Sequence, residues 1–139
     1  MEKITYLLIC QDVLSNDKEQ IIRNPIYLMT PLNIPGNFSF TVALGIANLK
    51  EDGQYKITLE IISPDSTTQK LVDAHFTTPP KSNGHGDNQI FEGNLDFGHP
   101  NFEIYKDGIY LVIVTLSSDK ITLKKETEFF VKKKLAESV

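Results

Sequence analysis

Between Asn37 and Asn48 every second residue is apolar: Phe38, Phe40, Val42, Leu44 and Ile46 fall on one side of an extended chain. Ser39, Thr41, Ala43, Gly45 and Ala47 make the other side small and flat. The same period of two runs through Gly53–Ser63, where Tyr55, Ile57, Leu59 and Ile61 alternate with Lys56, Thr58 and Glu60. A helix that buries one face needs apolar residues three and four apart, and neither segment has that spacing. These two segments are therefore predicted strands, and they restrict the chain to folds that cover a sheet.

The period continues in weaker form. Val72, Ala74 and Phe76 share a side within Thr67–Thr77, as do Phe91, Leu95 and Phe97 within Asn88–Gly98. Gly108–Ser117 and Lys120–Val131 read as a closing hairpin. In the latter, Ile121, Leu123, Thr127, Phe129 and Val131 share a side, with Lys125 as the exception. Lys3–Cys10 and Glu19–Thr30 supply two more strands, the second broken at Pro25. Asp52-Gly53 and Asp107-Gly108 are turn dipeptides, and Pro31 and Pro35 stop one strand before the next begins. The two strand starts Gly53-x-Tyr55-x-Ile57 and Gly108-x-Tyr110-x-Val112 are laid out alike. Short strands separated by turns predict an all-β fold, an immunoglobulin-like antiparallel β-sandwich of about seven to nine strands with a short C-terminal tail. Residues 1–139 read as one domain, with 132–139 as a fraying end.

Composition sets the remaining bounds. A chain of 139 residues, 40% hydrophobic and 23% charged, can enclose a core without metal or disulfide staples. Cys10 is the lone cysteine and has no internal disulfide partner, which fits a reducing cytoplasm. The apolar run ending at Cys10 is too short for a secretory core and lacks a small-residue cleavage site. The Asn37-Phe38-Ser39 glycosylation pattern is accordingly read as incidental, and no membrane is expected as a partner. Net charge is −4, but residues 120–134 hold six Lys against two Glu while the rest of the chain is acidic. An acidic body disfavours nucleic acid as a partner, since phosphate binding needs a clustered basic surface. The basic segment reads as an edge strand whose lysines block sheet-to-sheet pairing.

The opening ITYLLICQDVL, the strand NIPGNFSFTVALGI, the stretch EDGQYKITLEIISPDSTT and the closing EFFV resemble a family of small bacterial proteins of unknown function. The resemblance runs over most of the chain. It implies an immunoglobulin-like sandwich in a bacterial or phage setting, and it carries no catalytic residue across.

Catalytic and metal chemistry find little purchase. His75, His85 and His99 lack the close pairing of a zinc site, and no loop has the alternating acidic spacing of a calcium site. There is no Gly-x-Ser-x-Gly elbow, and Cys10 sits in an apolar strand that keeps a thiol inert. Glu126 and Glu128 read as partners for neighbouring lysines rather than as an acid–base pair. Trp is absent, which disfavours a sugar-binding platform. No cofactor is expected.

What stands out is apolarity on both sides of two strands. In Gly108–Ser117 the core side is Tyr110, Val112, Val114 and Leu116, yet Ile109, Leu111 and Ile113 occupy the opposite side. Lys3–Cys10 repeats this, with Leu7 and Ile9 opposite Tyr6 and Leu8. A sheet with one wet face should carry polar residues there. Leu7, Ile9, Ile109, Leu111 and Ile113 are thus the candidate interface, unless another part of the chain covers them. The Pro- and Gly-rich stretch Thr78–Asp87 is the candidate binding loop, through Lys81, Asn83, His85 and Asp87. The expected function is a non-enzymatic protein-binding or assembly module, binding another protein or itself as a homodimer. It would suit a small bacterial or phage regulatory or inhibitor protein. The alternative is a hydrolase with a metal-dependent site near His85 and His99.

Overall fold

The computed structural model describes residues 1–15, 20–31, 34–79 and 91–133, with 15, 20 and 91–101 described as backbone. These form nine strands: β1 (Lys3–Ser15), β2 (Gln20–Pro25), β3 (Leu28–Met29), β4 (Gly36–Leu49), β5 (Gln54–Ile62), β6 (Thr68–Thr77), β7 (Phe91–Ile104), β8 (Gly108–Ser117) and β9 (Thr122–Val131). They make a four-stranded sheet in the order β2-β1-β4-β7 and a five-stranded sheet in the order β3-β9-β8-β5-β6. The chain passes from one sheet to the other between β2 and β3, β3 and β4, β4 and β5, β6 and β7, and β7 and β8. One pairing departs from the expected antiparallel pattern: β3 runs parallel to the end of β9, with Leu28 opposite Phe130 and Met29 opposite Val131.

The core is what the alternation promised. Phe40, Val42, Leu44 and Ile46 of β4 join Tyr55, Ile57, Leu59 and Ile61 of β5 and Tyr110, Val112, Val114 and Leu116 of β8 in one buried cluster. Fully burying each such aliphatic side chain stabilises by about 1.5–3 kcal/mol relative to exposure. At one end the cluster is aromatic. Tyr110 and Phe129 stack with ring centres 5.1 Å apart, and Phe40 meets Phe102 edge-on at 5.4 Å.

The flat outer side of β4 has a steric cause. A Cβ on Gly45 would lie 2.4 Å from both the Tyr6 ring and Thr5 Oγ1. Two residues of β1 are accommodated there against one of β4, so the ladder bulges between Ile4 and Tyr6. Ala43 and Ala47, flanking Gly45 on the same side, are buried beside it.

Three boundaries move, one of them at β7, which runs past the expected end at Gly98 to Ile104. β1 does not end at Cys10: its pairing with β4 stops there, opposite Thr41, and the strand runs on to Ser15 paired with β2. The resulting two-stranded arm is tied across by Arg23, whose Nε donates to Asp12 Oδ1 at 2.6 Å. Lys132 and Lys133, expected within a fraying end, are tied to the fold. Lys132 N donates to Met29 O at 3.0 Å, and Lys133 N donates to Asp107 Oδ1 at 3.0 Å.

Candidate functional site

The outer face of the five-stranded sheet is the candidate site, and the ladders fix its layout. β8 sits between β9 and β5, so its outward residues have a neighbour on each side. Ile109 lies opposite Phe130, and Leu28 of β3 lies beyond Phe130. One row further along, Leu111 is flanked by Glu128 and Ile62. In the next row Ile113 is flanked by Glu126 and Glu60, and after it Thr115 by Lys124 and Thr58.

Exposure follows that layout. Ile109 is 50% exposed, Leu28 43% and Phe130 42%, while Leu111, Ile113 and Ile62 are half-buried by their neighbours. The result is an apolar strip on a face that water would otherwise claim. Beside it lie three carboxylates. None of the ion pairs among the described residues involves Glu60, Glu126 or Glu128. The lysine partners expected for Glu126 and Glu128 do not stand opposite them in the ladder, which sets Ile113 and Leu111 there. Lys70, the register partner of Glu60, turns instead to Asp73 at 3.5 Å, and Lys56 reaches the same carboxylate at 3.6 Å. Desolvation is the largest single influence on the Asp73 carboxyl and raises it, but these two ammonium groups together outweigh it and hold it below its usual range.

The other predicted residues divide sharply. Leu7 and Ile9 are not available to a partner: they are 5% and 3% exposed and belong to the core cluster. The pairing of β1 with β4 sets them inward, so Tyr6 and Leu8 are the outward residues of that stretch. Lys81, Asn83, His85 and Asp87 lie outside the described residues, as does the side chain of His99. His75 is exposed and lines an open cleft of about 810 Å³ with Lys50, Lys56, Tyr55 and Glu2. A second cleft, of about 360 Å³, lies between Asp65, Glu103, Tyr105 and Tyr110. Among the described residues no three His, Cys, Asp or Glu side chains gather as a metal site would require. Cys10 is fully buried, with its thiol 3.5 Å from Thr41 O, a poor position for a nucleophile.

Sequence reasoning missed Phe130 and Leu28. The signal for Phe130 was present, since an inward Phe129 leaves its neighbour outward. Leu28 carried none, because its position depends on a two-residue parallel pairing.

The alternating starts of β5 and β8 acquire a structural meaning. Tyr110 Oη donates to Lys106 O at 2.8 Å, four residues back, and Lys50 N donates to Tyr55 Oη at 2.9 Å. β5 and β8 are antiparallel neighbours, so the two tyrosines close opposite ends of the sheet. A tyrosine at the start of this strand bonding back to the preceding turn is the tyrosine corner of sandwich domains. With β1-β4-β7 facing β9-β8-β5-β6, the strand order and that corner define an immunoglobulin-like sandwich. Buried Val112, two residues after Tyr110, takes the place where disulfide-bonded versions carry cysteine. No protein-family model and no curated protein matches the chain.

Proposed function

We propose that this chain is a non-enzymatic protein-binding or assembly module that docks a partner through the outer face of its five-stranded sheet. The reading rests on one observation: Leu28, Phe130 and Ile109, adjacent in the ladders, are each more than 40% exposed and continue into half-buried Leu111 and Ile113. Scattered single apolar residues are ordinary on a protein surface, but a contiguous strip is the usual mark of an interface. Rigid strands present it, so docking costs little ordering of backbone. The resemblance of the opening, central and closing segments to small bacterial proteins implies a bacterial or phage setting, and a regulatory or inhibitory role there is part of the proposal itself.

The test compares Ile109→Lys with Leu14→Lys, the latter on the exposed β1–β2 arm. Both variants should melt as folded domains. A partner captured by the wild-type chain should be lost with Ile109→Lys and kept with Leu14→Lys. Equal retention by both variants would remove the face from consideration.

A further inference from the structure

Resting on that reading, we infer that the partner of this face is a protein segment in which apolar side chains alternate with Lys or Arg, and that it is not a second copy of this chain. The inference comes from the arrangement of charge within the strip. The charged residues paired directly with Leu111 and Ile113 in the ladders are all carboxylates. Glu128 flanks Leu111, and Glu126 and Glu60 stand on either side of Ile113, two strand spacings or about 10 Å apart. These three carboxylates have no ion-pair partner among the described residues, whereas nearby Asp73 has two. Of the basic groups on this face, Lys70 stands opposite Glu60 but is drawn to Asp73 at 3.5 Å, and Lys124 lies a row further on, beside Thr115 and Thr58.

Self-association meets a geometric obstacle. Two copies face to face are related by a two-fold axis lying in the plane between the sheets. An axis along β8 exchanges the β9 and β5 columns, which stacks Glu126 on the other copy's Glu60 and Glu128 on its Ile62. An axis across the strands keeps the columns. To lay apolar rows on apolar rows it must pass through the Leu111 row, which puts Glu128 on Glu128 and Glu126 on Phe130. Either arrangement sets uncompensated carboxylates against each other or against hydrocarbon, a costly outcome once water is expelled. A partner with basic residues spaced among apolar ones meets neither obstacle: it covers the strip and neutralises the carboxylates together. An extended segment matches the spacing, because its side chains alternate with the same period as β8 and β9.

The test uses a short synthetic peptide alternating leucine and lysine, with a leucine–glutamate peptide as its counterpart. Binding to the intact chain is read by amide chemical-shift changes, and the solution mass by light scattering over a dilution series. The expected result is a monomer that binds the lysine peptide and not the glutamate peptide, with shifts confined to β8, β9 and β5. Joint substitution Glu60→Gln, Glu126→Gln and Glu128→Gln should weaken binding about tenfold or more. The equal charge change Glu51→Gln, Asp52→Asn and Asp119→Asn, at the opposite end of the sandwich, should leave it within about twofold.

Absence of binding to the lysine peptide would overturn the inference, as would equal weakening by both triple variants, the sign of unspecific attraction to an acidic protein. A dimer that persists on dilution and dissociates with Ile109→Lys would overturn it too. If Ile109→Lys abolishes peptide binding while the glutamate triple does not, the face docks a partner without using its carboxylates, and the inference is overturned. If neither has any effect, the proposed docking face itself is wrong.

Discussion

The hydroxyl of Tyr110 donates to the carbonyl oxygen of Lys106 at 2.8 Å, pinning the turn that delivers β8 into the centre of its sheet. The ring is 1% exposed and stacked on Phe129, so hydroxyl and ring are anchored independently. Tyr110→Phe keeps the ring and removes the bond. It should cost roughly 1–1.5 kcal/mol, read as a lower midpoint in urea with an unchanged slope. No change in midpoint would mean that water replaces the bond without loss.

Gly45 is the one position in β4 where the neighbouring strand leaves no room for a side chain. Gly45→Ala would set a methyl 2.4 Å from the Tyr6 ring, which must then move. A loss of about 1–3 kcal/mol is expected, the range for inserting a group into a packed site. Thermal unfolding of Gly45→Ala beside Ala47→Gly checks this, since a loss specific to added bulk appears only in the first.

The two sides of β8 should respond in opposite ways. Leu116 is fully buried, so Leu116→Ala should cost about 2–5 kcal/mol. Ile109 is half exposed, and Ile109→Ser should change stability by no more than about 0.5 kcal/mol, as surface substitutions do. Chemical denaturation of the pair decides whether the outer strip is a structural or an interaction surface.

Acid should weaken the turn between β5 and β6. Asp65 accepts hydrogen bonds from the Ser63 hydroxyl at 2.6 Å and Thr67 N at 3.1 Å, which bring its carboxyl down from 3.8 to about 2. A depressed folded-state value means that ionised Asp65 stabilises the fold above the unfolded value of 3.8. That contribution fades as pH falls toward about 2. Asp65→Asn should therefore lose less stability than the wild type across this window. Parallel acid-unfolding curves for the two proteins would assign the effect elsewhere.

The correction at Leu7 and Ile9 shows where sequence reasoning stops. Alternation shows that Leu7 and Leu8 point to opposite sides, but not which side meets the second sheet. Both sides of that stretch are apolar, so pattern alone could not choose. The register against β4 chose: Leu7 pairs with Leu44, itself inward, and Ile9 with Val42. In β8 the choice was legible, because Gly108-x-Tyr110 marks the side that turns in. Phe130 was half legible from the neighbouring Phe129, and Leu28 not at all.

The sequence by itself determined that the chain is built of strands, the inward side of β4, β5, β8 and β9, and the two tyrosine-led strand starts. Those are local properties, carried by a period of two and by turn residues within a few positions. Tertiary structure alone decided the order of strands, the parallel seat of β3 on β9, and the outward course of the β1–β2 arm. It also brought Glu60 beside Ile113, from a strand more than fifty residues earlier. Such contacts join residues distant in the chain, and their energies depend on which strands become neighbours, a choice that no local pattern encodes.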